Sequence, residues 1–421
     1  MIDVSDKKVL VVDDGMFIEF AIRLARDFKK VLYWTNWKSE YPLSKDDMIG
    51  VGVPGIERVS ELFDYIDKVD LIVFTSIYYG DLQEFLVKKG YRVFGSRKGD
   101  ELERKRVEAI EHFKDLGLPQ PKYKQIIGID NLIKYLNDKE DKWIKVSEYR
   151  GKNETWHYID KELSSRKLAE KKHELGDEGK VFEFLVFDPI NGDDIVECGF
   201  DTPITVDGKY PKSVINGYEK KDCAYLCRVR KYSDLSPIIT EFNEKIAPTL
   251  EEYQYRNAMS TEIRVGKDKV PYMIDFTARQ PSPPGEIYLE LIGNFSEMVW
   301  GASEGILVEP IYLAKYAIEV MVNSSAAENG WLDIRFPKSI RKWVKLRHLA
   351  VIDDVYTIIP RHNDFNNIGA VIAIGDSIEE VVELAKQRCK MIKGEDIDCK
   401  LDDIKPLMEI IKKGEGIGLK F

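Results

Sequence analysis

The first hundred residues alternate between short apolar runs and amphipathic segments. The apolar runs are VLVV (9–12), VLYWT (31–35), LIVF (71–74) and RVF (92–94). Helical periodicity marks the segments FIEFAIRLARDF and LQEFLVKKG between them. Strands that alternate with helices predict a parallel, doubly wound sheet over roughly the first 96 residues.

The carboxyl ends of those strands are candidate ligand positions, because ligands of doubly wound sheets bind beyond the strand ends. They fall at Asp13 to Glu19 and at Thr75 to Tyr79. An alternative interpretation is that Asp13 and Asp14 only cap the helix that follows. The sequence leaves both interpretations open.

The middle of the chain predicts a mixture of helices and antiparallel strands. A charged helix, ELERKRVEAIEHFKDLG (101–117), ends at a glycine before the prolines of LPQP. It is followed by a strand WIKV (143–146), a polar loop EYRGKNETWHY, a strand VFEFLVF (181–187) and a helix at 236–253. The strands STEIRV and PYMID are joined by GKDK as a hairpin, and the strand AVIAIG with the helix SIEEVVELAKQRCKMI predicts a terminal α+β region. The predicted fold class is α/β and α+β.

Composition narrows the class of protein. A chain of 421 residues exceeds the usual size of one hydrophobic core, so two or three domains are expected. The formal charge of -10 and a pI near 5.3 argue against nucleic acid as a partner, which needs a basic surface. No apolar run reaches the roughly 18 residues that span a bilayer and no signal pattern opens the sequence, so we expect a soluble, cytoplasmic protein.

The cysteines point to reduced thiols. The chain has five, an odd number, and only Cys223 and Cys227 lie close together. A disulfide framework in a long chain would need more, and a metal site would need a second pair or a nearby histidine. We therefore expect structural thiols.

The predicted hairpin carries the most informative polar residues. In PYMIDFTARQPSPPGE, alternation places Met273, Asp275, Thr277 and Arg279 on one face of an extended segment. Folding at GKDK brings Glu262 beside Asp275, and two carboxylates held close together are costly without a cation. Oxygen ligands favour Mg²⁺, which commonly takes one or two carboxylates together with substrate phosphates. The alternative is a cross-strand pair that faces water.

Three upstream features favour the metal interpretation. Lys145 ends the apolar strand WIKV, where a lysine needs an anionic partner. Arg104, Lys105 and Arg106 concentrate positive charge on one helix, and the loop EYRGKNETW, with Gly151, is long enough to close over a ligand. Cations, a loop and paired carboxylates suit a nucleoside triphosphate with Mg²⁺. The sequence has no GxxxxGK[ST] motif, which excludes a Walker-type site.

The order of these parts resembles the ATP-grasp ligases, most of all the phosphoribosylamine-glycine ligase branch. YRVFGSRKGDELERKRVEAIEHFKDLGLPQP is similar to the family's VFGP turn, lysine-bearing helix and GIPTP exit. KWIKVS resembles its VVKAD strand, VFEFL its EEFL hinge, MIDFTARQPSPPGE its IEFNARFGDPE, and IGAVIAIGDSIEEVVELA its VVALGDTLEEA segment. The resemblance runs over almost the whole chain. It implies an ATP-grasp architecture with a doubly wound N-terminal domain (1–98), an ATP-grasp domain (99–320, lid about 122–185) and a small α+β domain (321–421).

The resemblance also implies ligands for the nucleotide. Arg106 and Lys145 would contact the phosphates of ATP, and Glu183 with its adjacent backbone would meet adenine. Glu262 and Asp275 would hold Mg²⁺. Such enzymes activate a carboxylate as an acyl phosphate, which an amine then attacks. The expected partners are a small carboxylate and a small amine, without nucleic acid or membrane, and a homodimer is one option for the assembly.

Two further positions are implied less directly. Arg279 would meet the transferred phosphate or the acyl phosphate. Thr277 occupies the position of the family's metal-binding asparagine, and a hydroxyl is a weaker ligand. The prolines after Arg279 would shape the wall around the acceptor.

The departures from the family pattern divide two hypotheses. Arg106 replaces a usual lysine, and the loop 148–158 has one glycine where relatives have several. The family's GNGGREHAL turn appears as DDGMFIEFAI and its VGPE as TSIY, so the sequence does not predict purine synthesis. The first hypothesis is a carboxylate-amine ligase for another small substrate. The second is a catalytically weakened descendant that binds nucleotide or serves as a structural or interaction protein.

Overall fold

The computed structural model describes most of the chain as two compact units. The described residues are 2–35, 48–147, 154–190, 195–221, 223–266, 269–328, 330–359, 366–401, 404–419 and 421. We call the larger unit A; it comprises Met1–Asp100, Cys198–Thr261 and Thr277–Phe421. Unit B comprises Glu101–Glu197 and Glu262–Phe276. The chain thus passes between the units more than once, and the domain boundaries at 98 and 320 stay a prediction.

Unit A begins with a five-stranded parallel sheet. Its strands are β1 (Lys8–Asp13), β2 (Lys30–Thr35), β3 (Ile56–Arg58), β4 (Leu71–Phe74) and β5 (Val93–Phe94), in the order β3-β2-β1-β4-β5. The helices α1 (Ile18–Leu24) and α2 (Gly80–Lys88) lie between strands along the chain. Every neighbouring pair is parallel, and β1 and β4 are almost wholly buried, as their uninterrupted apolar runs predict. The predicted doubly wound sheet is confirmed.

Unit B is built on a four-stranded antiparallel sheet. The strands are β6 (Tyr123–Ile127), β7 (Lys142–Val146), β8 (Thr155–Tyr158) and β9 (Glu183–Phe187), in the order β6-β9-β7-β8. The helices are α3 (Glu101–Arg104), α4 (Arg106–Asp115), α5 (Ile129–Leu136) and α6 (Lys161–Leu175). Leucine, isoleucine and aromatic side chains of α5, α6 and the sheet form its core.

The charged helix predicted over 101–117 is wrong in one respect. The backbone leaves the helical conformation at Lys105, with φ -91° and ψ 76°, so α4 starts afresh at Arg106. Lys105 then pairs with Glu101 at 2.8 Å, whereas Arg106 becomes the first residue of a new helix and turns inward. The predicted end at Gly117 is close to the observed one, since this glycine has a φ of 69°.

A large antiparallel sheet forms the rest of unit A. It starts with β10 (Val196–Val206), β11 (Ser213–Lys220), β12 (Ala224–Lys231) and β13 (Arg256–Val265); the end of β13 belongs to unit B, where it neighbours β14 (Pro271–Thr277). It continues with β15 (Tyr316–Ser324), and the C-terminal strands are β16 (Leu332–Ile334), β17 (Val344–Leu346), β18 (Leu349–Ile352), β19 (Val355–Ile358), β20 (Asn367–Gly375) and β21 (Ile397–Cys399). The order within unit A is β13-β10-β11-β12-β15-β20-β17, with β21 on β15 and a separate sheet β16-β19-β18.

Among the described residues, five further helices belong to unit A. They are α7 (Pro237–Glu252), α8 (Gly285–Leu291), α9 (Phe295–Ser303), α10 (Ile378–Cys389) and α11 (Ile404–Gly416). Helices α8 and α10 pack against β15 and β20, and α8 also contacts α1. The predicted terminal strand and helix are β20 and α10. Among the described helices, none combines the length and apolarity needed to cross a membrane.

Candidate functional site

The predicted hairpin and the strand that ends at Val146 meet in unit B. Lys145 Nζ donates a hydrogen bond to the carbonyl oxygen of Ile274 at 2.9 Å and another to the Asp275 carboxylate. The Lys145 side chain is 10% exposed and that of Asp275 is 26% exposed. Lys145, which the sequence places in an apolar strand, is therefore paired with an anion, Asp275, on β14.

Arg106 reaches the same carboxylate from α4. Its guanidinium donates to the Val146 carbonyl at 2.9 Å and to the Glu154 carboxylate, and its Nε lies 3.8 Å from Asp275 Oδ1. Its side chain is only 5% exposed. The backbone break before α4 separates the buried Arg106 from the two preceding cations, Arg104 and Lys105, which are partly exposed. We call Lys145, Arg106, Asp275 and Glu154, together with Glu262, the unit B cluster.

Glu154 is a member that the sequence analysis missed. The β7–β8 pairing places it beside β7, since the Val146 amide donates to the Glu154 carbonyl at 2.9 Å. The sequence did contain a signal for Glu154, because this acid in the loop EYRGKNETW directly precedes β8, the strand that pairs antiparallel with β7. Residues 148–153 of that loop, with the predicted flexible Gly151, lie outside the described residues.

Glu262 acts on the same lysine through its charge. It lies within β13 rather than at a strand end, because β13 extends back to Arg256. Burial lowers the pKa of Lys145; Asp275 and Glu262 act to raise the pKa again, and Arg106 acts to lower it. The positive charge near the two predicted metal ligands, Glu262 and Asp275, is thus the ammonium group of Lys145.

The donor set of the unit B cluster fits Mg²⁺ with a nucleotide. In the part of the chain that the structure describes, no group of three or more His, Cys, Asp or Glu side chains is placed to hold a metal alone. Mg²⁺ does not need such a group, because it commonly takes one or two carboxylates and completes its shell with water and phosphate oxygens. Glu262 and Asp275 match that requirement, and the inward-facing Lys145 and Arg106 supply cations for phosphates.

Glu183 opens β9 in the middle of the unit B sheet. Its carbonyl oxygen accepts a hydrogen bond from the Ser147 amide at 2.8 Å, and its carboxylate accepts one from Gln125 Nε2 at 3.2 Å. The Ser147 contact joins the predicted hinge to the end of β7, which carries Lys145. The predicted contact of Glu183 with adenine stays a prediction.

Thr277 and Arg279 lie in unit A. Thr277 ends β14, Arg279 follows two residues later, and both are partly buried. The next residue, Gln280, donates its amide to the Thr75 carbonyl at 3.2 Å, and its side chain donates to the Gly285 carbonyl at 2.9 Å. The proline segment therefore runs past the carboxyl end of β4, which the sequence marked as a ligand position.

Asp13, at the end of β1, is occupied by structural contacts. Its carboxylate accepts hydrogen bonds from the Tyr33 hydroxyl at 2.7 Å, the Thr75 hydroxyl at 2.7 Å and the Gly15 and Phe17 amides at 3.1 Å. Burial, with a contribution from Asp14, raises its pKa to about 7. The two amide contacts close the turn between β1 and α1; they do not cap the helix, because α1 begins at Ile18 and its N-cap residue, Phe17, has no side-chain capping hydrogen bond.

Comparisons with solved structures connect this arrangement to known folds. Phosphoribosylamine-glycine ligase from Thermotoga maritima is similar with a TM-score of 0.69 at 18% identity, covering 94% of this chain and 99% of that one. The biotin carboxylase domain of Hydrogenobacter thermophilus 2-oxoglutarate carboxylase, solved with MgADP, ADP and bicarbonate, gives 0.64 at 14% identity, with 98% of each chain covered. N5-carboxyaminoimidazole ribonucleotide synthetase from Thermotoga maritima gives 0.58 at 13% identity, covering 93% and 99%.

These neighbours are ATP-grasp enzymes, so the chain has the ATP-grasp fold. The fold resemblance predicted from the sequence is confirmed. No protein-family model and no curated protein matches the chain.

Proposed function

We propose that the chain is an ATP-dependent carboxylate-amine ligase that forms an amide-type bond through an acyl phosphate. Its substrates would be a small carboxylate and a small amine other than phosphoribosylamine and glycine. The observation that carries the proposal is the convergence of Lys145 and Arg106 on Asp275, with Glu262 close enough to influence the lysine. The ligases and carboxylase among the structural neighbours support the general class of reaction.

The unit B cluster would bind ATP and Mg²⁺. Lys145 and Arg106 would hold phosphate oxygens, because buried cations bind them with strong, charge-assisted hydrogen bonds. Glu262 and Asp275 would hold Mg²⁺, and the start of β9 at Glu183 would meet the base. ATP supplies the phosphoryl group that activates the carboxylate.

Residues after β14 would serve the acceptor end. Arg279 would contact the transferred phosphate or the acyl phosphate, and the adjoining proline segment would form a wall of the acceptor site. Thr277 would contribute a hydroxyl where relatives place a metal-binding asparagine. These roles follow from the family resemblance.

The ion pairs of the cluster set a condition on binding. Asp275 is hydrogen-bonded by Lys145, so a metal at Asp275 must replace that contact with one of its own. Phosphate oxygens would satisfy this condition, because they would accept the Lys145 hydrogen bond while the Asp275 carboxylate held the metal. Nucleotide and Mg²⁺ are therefore expected to bind cooperatively, each weakly without the other.

A weakened descendant is the second candidate. The closed Lys145–Asp275 and Arg106–Glu154 pairs neutralise the cluster without a ligand, and Thr277 is a poorer ligand than asparagine. Such a chain would bind nucleotide feebly or would serve as an interaction subunit. The two candidates differ in nucleotide binding and in turnover, which separate measurements resolve.

Thermal unfolding with and without ATP and Mg²⁺ tests nucleotide binding. A ligand that binds only the folded state stabilises it by about 2.7 kcal/mol at a hundredfold excess over its dissociation constant. We expect ATP with Mg²⁺ to raise the melting temperature, ATP or Mg²⁺ alone to raise it much less, and Lys145→Ala to abolish most of the rise. Lys142→Ala is the matched control, since Lys142 lies on the same strand and pairs with Asp188 at 3.0 Å.

The outcomes separate the candidates. Binding followed by ADP release with a panel of small carboxylates and amines supports the ligase. Binding without any substrate-dependent ADP release favours the descendant. No shift at millimolar ATP and Mg²⁺ in the unmutated protein would refute both nucleotide-binding versions.

A further inference from the structure

Two cysteine side chains meet at the end of α10. Cys389 is the last residue of α10 and Cys399 the last of β21. The Cys399 thiol donates a weak hydrogen bond to the Cys389 carbonyl oxygen, with 4.0 Å between Sγ and oxygen, so the two cysteines lie side by side. All five cysteines lie within the described residues and none forms a disulfide. The pair is thus two reduced cysteines that lie next to each other.

Separate elements hold the two thiols together. Helix α10 packs against β15 and β20, while β21 pairs with β15 through the register Val322 to Cys399. The contact therefore does not depend on a covalent link between the two residues. Disulfide formation requires a bond of about 2.05 Å between the sulfurs, and α10 and β21 hold the two cysteines close enough for one thiol to touch the backbone of the other residue.

The two thiols have unequal chemistry. The hydrogen bond with Cys389 lowers the pKa of the Cys399 thiol, against the opposing effects of burial and of Asp398. The same contact and burial raise the pKa of Cys389. Cys399 is also partly exposed, whereas Cys389 is 4% exposed. The accessible thiol is thus the better nucleophile, because the thiolate is the reactive form.

We propose that Cys399 and Cys389 form a redox-sensitive pair that a peroxide converts to an intrachain disulfide. The Cys399 thiolate attacks one peroxide oxygen, the O–O bond breaks, and with one proton the products are a Cys399 sulfenic acid and water. The Cys389 thiol then attacks the sulfenic sulfur, and its proton leaves with the hydroxyl group as a second water. Two cysteine sulfurs are oxidised and one peroxide is reduced to two waters.

A metal site is the competing interpretation of paired cysteines. Structural zinc needs four Cys or His ligands, and the described residues contain no group of even three His, Cys, Asp or Glu side chains suited to a metal. The surroundings of the pair therefore favour redox chemistry.

Oxidation of the full-length protein with hydrogen peroxide tests the proposal. We expect the intact mass to fall by about 2 Da, peptide mapping to link Cys389 to Cys399, and titratable thiols to drop from five to three. A dithiol reductant should restore all five. In Cys389→Ser, Cys399 should stop at a sulfenic acid, with a gain of about 16 Da that a sulfenic-acid probe captures.

Cys223→Ser is the control variant, because Cys223 is also partly buried but lies outside the pair. It should form the same disulfide as the unmutated chain. Oxidation that adds oxygen to the unmutated chain without a mass loss, or a disulfide that involves other cysteines, would overturn the proposal. Peptide mapping of the unmutated protein distinguishes these outcomes even if a serine variant fails to fold.

Discussion

Two clusters of charged side chains in this molecule differ in how far their carboxylates are exposed to solvent. In unit A, Glu290 accepts hydrogen bonds from Arg26 at 2.7 Å and Lys345 at 2.7 Å, while Glu19 accepts them from Arg341 at 2.9 Å and the Leu346 amide at 3.1 Å. We call this set the Glu290 network. The Glu290 and Lys345 side chains are 1% and 2% exposed, against 26% for Asp275 in the unit B cluster.

The difference separates a structural ion network from one that can exchange partners. Both carboxylates of the Glu290 network are buried together with Lys345, and burial acts to lower the pKa of Lys345. A ligand could enter only by leaving a buried charge uncompensated. Asp275 is exposed enough for water or a metal to reach it. Lys145 and Arg106 could therefore exchange this carboxylate for a phosphate. Exposure, more than the number of charges, marks the candidate site.

The largest effect is expected from Glu290→Gln. Removing one partner of a buried pair typically costs about 3 to 5 kcal/mol, because the remaining charge stays buried without compensation. Burial acts to raise the pKa of Glu290, but hydrogen bonds from Arg26 and Lys345 lower it overall. The stability from Glu290 is therefore present above its unfolded pKa, near 4.5, and is lost as the pH falls.

Urea unfolding at pH 7 and at pH 4 measures this prediction. The gap between the unmutated protein and Glu290→Gln should be large at pH 7 and smaller at pH 4. A gap below about 1 kcal/mol at pH 7 would place the Glu290 network among ordinary surface pairs, and the contrast with unit B would disappear.

The sequence predicted the elements better than the partners of the side chains. The strands with uninterrupted apolar runs, β1, β2, β4 and β5, were predicted, whereas the short β3, of sequence IER, has no apolar run to mark it. The strands β10 to β12 also lack a clear pattern, because Asp201 and Pro203 interrupt β10. Asp201 is tolerated there since Tyr225 and Ser260 each donate a hydrogen bond to it at 2.6 Å, a compensation that depends on distant residues.

Within the candidate site, local pattern identified Lys145 and the hairpin acids. A lysine between the apolar residues of a strand, as Lys145 is, is unusual in itself, and the predicted hairpin indicated which carboxylates come near each other. The choice of Arg106 among three neighbouring cations, and the presence of Glu154, depended on tertiary packing. Arg106 was singled out from its neighbours only by the family resemblance, and Glu154 was not predicted.

A buried glutamate with less compensation gives a second test of the contrast. Both carboxyl oxygens of Glu319 on β15 are buried and, among the described residues, accept no hydrogen bond from a donor group. The Glu286 carboxylate faces it and is itself bound by Arg347 at 3.1 Å and Ser282 at 2.9 Å. Burial, and then the charge of Glu286, raise the pKa of Glu319 well above 4.5, against the effect of Arg347.

Glu319→Gln should therefore gain stability relative to the unmutated chain as the pH rises. A raised folded pKa means that the contribution of Glu319 is fully present below pH 4.5 and is lost as the pH rises toward the folded pKa. Glutamine has no proton to lose, so the difference should grow by up to about 1.4 kcal/mol per pH unit. Urea unfolding at several pH values between 5 and 8 measures it, with the exposed Glu328→Gln as control. A difference independent of pH would show that Glu319 is ionised in the folded protein.

The smallest effect on stability, and the most informative one, is expected from Asp275→Asn. The change removes a charge next to Lys145 and Arg106, but Lys145 keeps the Ile274 carbonyl and Arg106 keeps the Glu154 carboxylate as hydrogen-bond partners. Because Asp275 is also a quarter exposed, the free energy of unfolding should fall by less than about 1 kcal/mol. Nucleotide binding in the presence of Mg²⁺ should weaken at least tenfold, about 1.4 kcal/mol, because a neutral amide replaces a metal-binding carboxylate poorly. Without Mg²⁺ the two proteins should bind nucleotide almost equally.

Titration of Mg²⁺ at a fixed concentration of a nonhydrolysable ATP analogue decides between a site and a structural pair. Asp188→Asn is the matched control, since it also breaks an acid–lysine pair of unit B, at Lys142, but lies outside the unit B cluster. A Mg²⁺ curve displaced only in Asp275→Asn would support metal binding by this carboxylate, with stability nearly unchanged in both variants. Coincident curves for all three proteins would mean that Asp275 only pairs with Lys145 and Arg106 and binds no metal. The unit B cluster would then be a structural ion network, as the Glu290 network is, although it is more exposed to solvent.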